Sequence, residues 1–136
     1  LTDCSRTIIL ESVGRRRGFD EETVLVSAAR VFRSRGYEGT SVDALVEATG
    51  VHRGSLYGVF GSKHGLFVAT LRHVVAGPDP DAATDMLLVA LLDLAPVDPA
   101  VSALVRTALA DRALTPADLG TRLLARAGLD PTEGSR

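Results

Sequence analysis

The chain has 136 residues, is 46% hydrophobic and 24% charged, and carries a formal charge of −2 at neutral pH. That is one domain or two small ones of ordinary soluble composition. The single cysteine, Cys4, excludes an intrachain disulfide framework and a cysteine-built zinc site. The longest apolar run, Met86 to Leu92, is 7 residues, far short of a membrane span. Near the N-terminus Thr7-Ile8-Ile9-Leu10 meets Glu11 at once, unlike the apolar region of a signal peptide. A cytoplasmic protein with no membrane partner is expected.

A net negative charge argues against nucleic acid, but the charge is unevenly spread. From Arg15 to Val75 nine basic residues stand against six acidic ones; from Ala76 onward five stand against nine. A basic front joined to an acidic back suits a DNA reader coupled to a body with another task.

Residues 1–18, with Gly14-Arg15-Arg16-Arg17-Gly18, read as a flexible arm. Its arginines either reach DNA phosphates or a minor groove, or stay solvated. Asp20 then opens a helix to about Arg35, with Phe19 and Val24 spaced for a hydrophobic staple. Val24, Ala28, Val31 and Phe32 form its buried stripe, and Gly36 ends it. Thr40 or Ser41 caps the next helix, whose apolar face is Val42, Leu45 and Val46, and Gly50 turns the chain. Another helix follows from Val51, with Leu56, Val59 and Phe60 inward and His52, Arg53, Ser55 and Tyr57 outward. Two short helices around a glycine turn, the second with cationic and hydrogen-bonding outer residues, make a helix-turn-helix whose second helix enters the major groove.

Ser62 caps a fourth helix carrying Leu66, Phe67, Thr70, Leu71 and Val74, and Gly77-Pro78-Asp79-Pro80 marks a boundary. Beyond it lie three helices, at about Asp81–Leu94, Pro99–Ala113 and Pro116–Ala127, the last two capped by Asp98 and Thr115. The expected fold is all-α: an arm at 1–18, a helix-turn-helix domain at 19–76 and a small helical body at 77–136. All six aromatic residues precede residue 68, so the body is aliphatic. Met86, Leu87, Leu88, Leu91 and Leu92 read as core or dimer contacts, or as a pocket lining. His64 and His73 read as surface residues.

No glycine loop with lysine, nucleophile elbow or Cys–His pair occurs, so no enzyme activity and no cofactor are expected. His52, His64 and His73 are spaced 12 and 9 apart, which does not repeat on one helix face, so no metal site is expected either.

The segment VLVSAARVFRSRGYEGTSVDALVEATGVHRGSLYGVFGSKHGLF resembles the DNA-binding domain of the tetracycline-repressor (TetR) family. The likeness covers about residues 19–75. It is carried by Ala29 and Phe32 before Arg35-Gly36-Tyr37, then Thr40-Ser41-Val42, Ala48-Thr49-Gly50-Val51, Ser55-Leu56-Tyr57, Phe60 and Ser62-Lys63. The resemblance implies a three-helix DNA-binding domain in front of a ligand-binding and dimerisation body. It further implies a homodimeric repressor on a palindromic operator, released when a small molecule binds. Thr40 and Ser41 then start the helix that touches phosphate; His52, Arg53 and Ser55 face base edges; Tyr57 and Lys63 grip the backbone. Gly54 lets the helix approach closely. Independently of the family, Arg53 can hold guanine O6 and N7 with two donors, and Lys63 near a helix N-terminus adds charge to a phosphate site. Two glycines depart from good helix chemistry: Gly58 and Gly65 each weaken their helix by on the order of 1 kcal/mol. The body, with about three helices where the family commonly has five or more, is reduced or incomplete. It takes either a small hydrophobic effector or, as the alternative function, protein partners without an inducer.

Overall fold

A computed structural model describes residues 19–130; the expected arm at 1–18 lies outside them. Among the described residues there are seven helices and no strand. They are α1 (Glu21–Arg35), α2 (Val42–Thr49), α3 (Arg53–Phe60), α4 (Lys63–Val75), α5 (Pro80–Asp93), α6 (Pro99–Asp111) and α7 (Pro116–Arg126).

Local chemistry sets most of the boundaries. Between the two candidate caps for α2, Ser41 does the capping, accepting from the Ala44 amide at 3.1 Å. Thr40 is buried, and its hydroxyl donates to the Gly36 carbonyl at 2.5 Å. Gly50 takes the left-handed conformation at φ 71°, open to glycine without strain, and the chain turns there. Val51 is buried ahead of α3, which begins two residues later at Arg53. Ser62, Asp79 and Asp98 cap α4, α5 and α6 through side-chain oxygens, and Thr115 and Asp118 cap α7 reciprocally. Asp20 instead accepts from the Thr23 hydroxyl at 2.8 Å and caps no amide of α1.

Helix α1 packs against α2, α4 and α5, and α5 in turn against α4, α6 and α7. The buried stripe of α1 is Val24, Ala28, Ala29 and Phe32, with Val31 only half-buried. Phe32 and Phe67 meet edge to face at 5.0 Å between ring centres, and Tyr37 closes the cluster at 6.2 Å from Phe32 and 5.2 Å from Phe67. Such aromatic pairs add directional stabilisation to area burial. The core continues through Leu66 and Leu71 into Met86, Leu87, Ala90, Val101 and Val105. Every residue of α5 from Ala82 to Ala90 is buried, so this helix lies at the centre of the body. Leu91 is half-buried and Leu92 faces solvent.

Two carboxylates of α5 reach out of that apolar helix. Asp85, with its side chain 4% exposed, is held by Arg33 of α1 at 2.9 Å and by Arg122 and Arg126 of α7 at 2.8 and 3.2 Å. Burial alone would push its carboxyl up; the guanidinium hydrogen bonds outweigh that and hold it at about 2. Asp93 accepts from the Tyr37 amide at 2.8 Å and the Glu38 amide at 3.4 Å. At the other end of the body, Arg112 donates to the carbonyls of Val75 and Gly77 and clasps the α4–α5 turn. No helix among the described residues is long and apolar enough to cross a membrane.

Candidate nucleic-acid interface

Helix α3 is anchored by Leu56, which is fully buried, and by Val51 just before it. Between these anchors His52, Arg53, Gly54 and Ser55 are all exposed. Arg53 makes no hydrogen bond or ion pair with another described residue, so its five donors are free. A side chain at Gly54 would meet nothing within 4 Å, which leaves the backbone there open to approach. Tyr57 departs from the outward placement expected of it: it is half-buried against the core.

A second group gathers where the α1–α2 turn meets the N-terminus of α4. Lys63 donates to the carbonyls of Tyr37 at 3.1 Å and Thr40 at 3.2 Å, and its ammonium lies 4.3 Å from the Tyr37 ring centre. Thr40 and Lys63 are thus brought together, with Ser41 exposed beside them. Two of the three lysine donors are used inside the protein, leaving one for another acceptor. The Ser41 oxygen accepts within its own helix, and its hydroxyl hydrogen remains available. The Thr40 hydroxyl is committed to Gly36, so this residue holds the turn from inside. Burial, then the nearby charges of Glu38, Tyr57 and Asp98, push the Tyr37 phenol up.

The two glycines singled out in the sequence differ. A Cβ at Gly58 would meet nothing, so its weakening of α3 stands unopposed. A Cβ at Gly65 would lie 1.9 Å from the Phe60 carbonyl oxygen, so the turn between α3 and α4 closes only over a glycine. His64, expected at the surface, has Nε2 2.6 Å from Asp98 and ties α4 to the start of α6. That contact, with the amides Asp98 caps, holds the Asp98 carboxyl below its usual range. Among the described residues no three His, Cys, Asp or Glu side chains converge to hold a metal ion.

The family model described as "Bacterial regulatory proteins, tetR family" matches residues 24–70, from the first buried valine of α1 into α4. Residues 24–70 form a TetR-family helix-turn-helix domain. Part of the chain is also similar to curated proteins. The HTH-type transcriptional repressor ComR of Escherichia coli is 43% identical over 67 residues, 49% of this chain and 32% of that protein. An uncharacterized HTH-type transcriptional regulator, YezE of Bacillus subtilis, is 40% identical over 65 residues, 48% of this chain and 34% of that one. The repressor AcnR of Corynebacterium glutamicum is 44% identical over 55 residues, 40% of this chain and 29% of its own length. The matched segment therefore spans about a third of each relative. A cysteine-substituted TetR family transcriptional regulator, CifR, solved with 26-bp double-strand operator DNA, aligns at 28% identity over 81% of this chain and 73% of that one, with a TM-score of 0.45.

Proposed function

We propose that this protein is a sequence-specific DNA-binding transcriptional regulator, a repressor acting as a homodimer on a palindromic operator. The observation that carries the reading is the exposed row His52–Ser55, held outward by the buried Leu56 inside a TetR-family helix-turn-helix domain. Arg53 reads a guanine edge, and His52 and Ser55 contact neighbouring bases or phosphates. Gly54 lets α3 sit close. Ser41 and the free donor of Lys63 take backbone phosphates, with Thr40 fixing the turn between them and Tyr57 bracing α3 from its half-buried position. In a homodimer the two copies of α3 lie about 34–36 Å apart, one turn of DNA. The names of ComR and AcnR favour repression over activation.

A groove of about 500 Å³ between the end of α4 and α6, lined by Arg72, Val75, Ala103, Leu104, Ala108 and Arg112, supports a small effector with an apolar part. An effector that binds better to a form with mismatched readers shifts the population away from DNA. The alternative, a body that serves protein partners without an inducer, is favoured by α7, which buries no residue and exposes Leu123 and Leu124. A metabolite that weakens DNA binding would eliminate it.

The test is selection of bound duplexes from a random pool by the whole chain. A palindromic consensus with half-sites one turn apart is expected. Retention of DNA without any consensus would refute the sequence-specific reading.

A further inference from the structure

The turn that precedes α2 is held from two sides by opposite charges. On one side Asp93, the last residue of α5, accepts from the amides of Tyr37 and Glu38 through one oxygen, at 2.8 and 3.4 Å. On the other, Lys63 of α4 donates to the carbonyls of Tyr37 and Thr40 at 3.1 and 3.2 Å. Gly36 makes the first contact possible. At φ +75° it swings the chain so that consecutive amides face the carboxylate, and a Cβ there would stand 3.2 Å from the same Asp93 oxygen. Helix α5 itself gains nothing from Asp93, since a negative charge at a helix C-terminus opposes the helix dipole. The Tyr37 amide has no backbone partner in α1 or α2, and Asp93 is its acceptor.

The geometry points to Asp93 as a positioning residue for DNA binding: the body, through this one carboxylate, sets where the α1–α2 turn, Ser41 and Lys63 stand relative to α3. The role rests on the DNA-binding reading above. Asp93 touches no base or phosphate. It fixes a turn whose carbonyls orient Lys63 and whose next residue caps α2. Any displacement of the end of α5 relative to α1 therefore moves the phosphate-gripping side of the reader while leaving α3 on its own anchor, Leu56.

The experiment uses the full chain with three substitutions, Asp93→Ala, Asp93→Asn and Asp93→Glu. Two readouts are taken: amide hydrogen exchange at Tyr37 and Glu38 in the free protein, and affinity for the selected duplex against a scrambled one. Asp93→Ala is expected to lower Tyr37 protection and weaken the selected duplex by about tenfold, the scale of losing one charge-assisted hydrogen bond. Asp93→Asn keeps an acceptor oxygen and is expected to restore most of both. Asp93→Glu keeps the charge on a longer arm; it is expected to shift the two amides and weaken binding even if Asp93→Ala does not fold. Wild-type affinity in a variant whose Tyr37 amide has lost protection or shifted would overturn the positioning role alone. Failure of the wild type to select any duplex would overturn the DNA-binding reading and this role with it, while the exchange data would still show whether the clasp exists.

Discussion

Helices α3 and α5 are opposite solutions to helix placement in one small molecule. Of the eight residues in α3 only Leu56 is fully buried, and its polar side chains make no hydrogen bond or ion pair with another described residue. In α5 nine consecutive residues are buried; its Asp85 is held by arginines of α1 and α7, and its Asp93 by amides of the α1–α2 turn. The first arrangement leaves donors free for something outside. The second locks donors and acceptors inside, and does so between α5 and the helices on either side of it in the chain. A charge buried with its partners holds elements in register, and removing one partner strands the others.

The strongest way to break that contrast is Asp85→Ala. It leaves Arg33, Arg122 and Arg126 facing each other without their shared acceptor, and a loss of about 3–5 kcal/mol is expected in urea unfolding. A loss below 1 kcal/mol would mean that α7 and α1 are not coupled through this carboxylate. Gly65→Ala comes next. Its methyl would collide with the Phe60 carbonyl, and a destabilisation of about 2–3 kcal/mol is expected from the same measurement.

Acid sharpens the comparison further. The Asp85 carboxyl titrates at about 2 in the folded protein, below its value near 3.9 in an unfolded chain. Its contribution is therefore present above pH 4 and lost as the pH falls through 2, an amount of about 2 kcal/mol. Stability measured at pH 5 and at pH 2.5 should fall more in the wild type than in Asp85→Asn. An equal fall would assign acid sensitivity to other carboxylates, of which Asp98 and Asp118 are also held low. The smallest expected effect is a gain. Gly58→Ala in α3 meets open space and should stabilise the fold by about 0.5–1 kcal/mol, read as a higher thermal midpoint.

Much of the reader was legible in the sequence because its signals are local. Ser62, Gly50 and the Val42–Leu45 spacing each act within one turn of chain, and each helix formed within two residues of its expected ends. The exposed row of α3 follows from the same periodicity, since Leu56 alone fixes which side faces out. The links between reader and body were not legible. Nothing local to Asp85 names its partners: Arg33 lies 52 residues away and Arg122 lies 37. Likewise nothing local ties Asp93 to Tyr37, 56 residues earlier. Gly65 misled for a related reason. Helix propensity describes a helix by itself, and the approach of the Phe60 carbonyl belongs to the turn between two helices.

The central claim is that α3 reads base sequence, and Arg53→Ala tests it most directly. Affinities for the selected duplex and a scrambled duplex should be measured across a salt series, together with the unfolding midpoint. The account predicts that the preference for the selected duplex falls by about tenfold or more, while the salt dependence of scrambled binding and the unfolding midpoint stay nearly unchanged. An Arg53→Ala protein that keeps its full preference would contradict it, and would place base reading elsewhere than on α3.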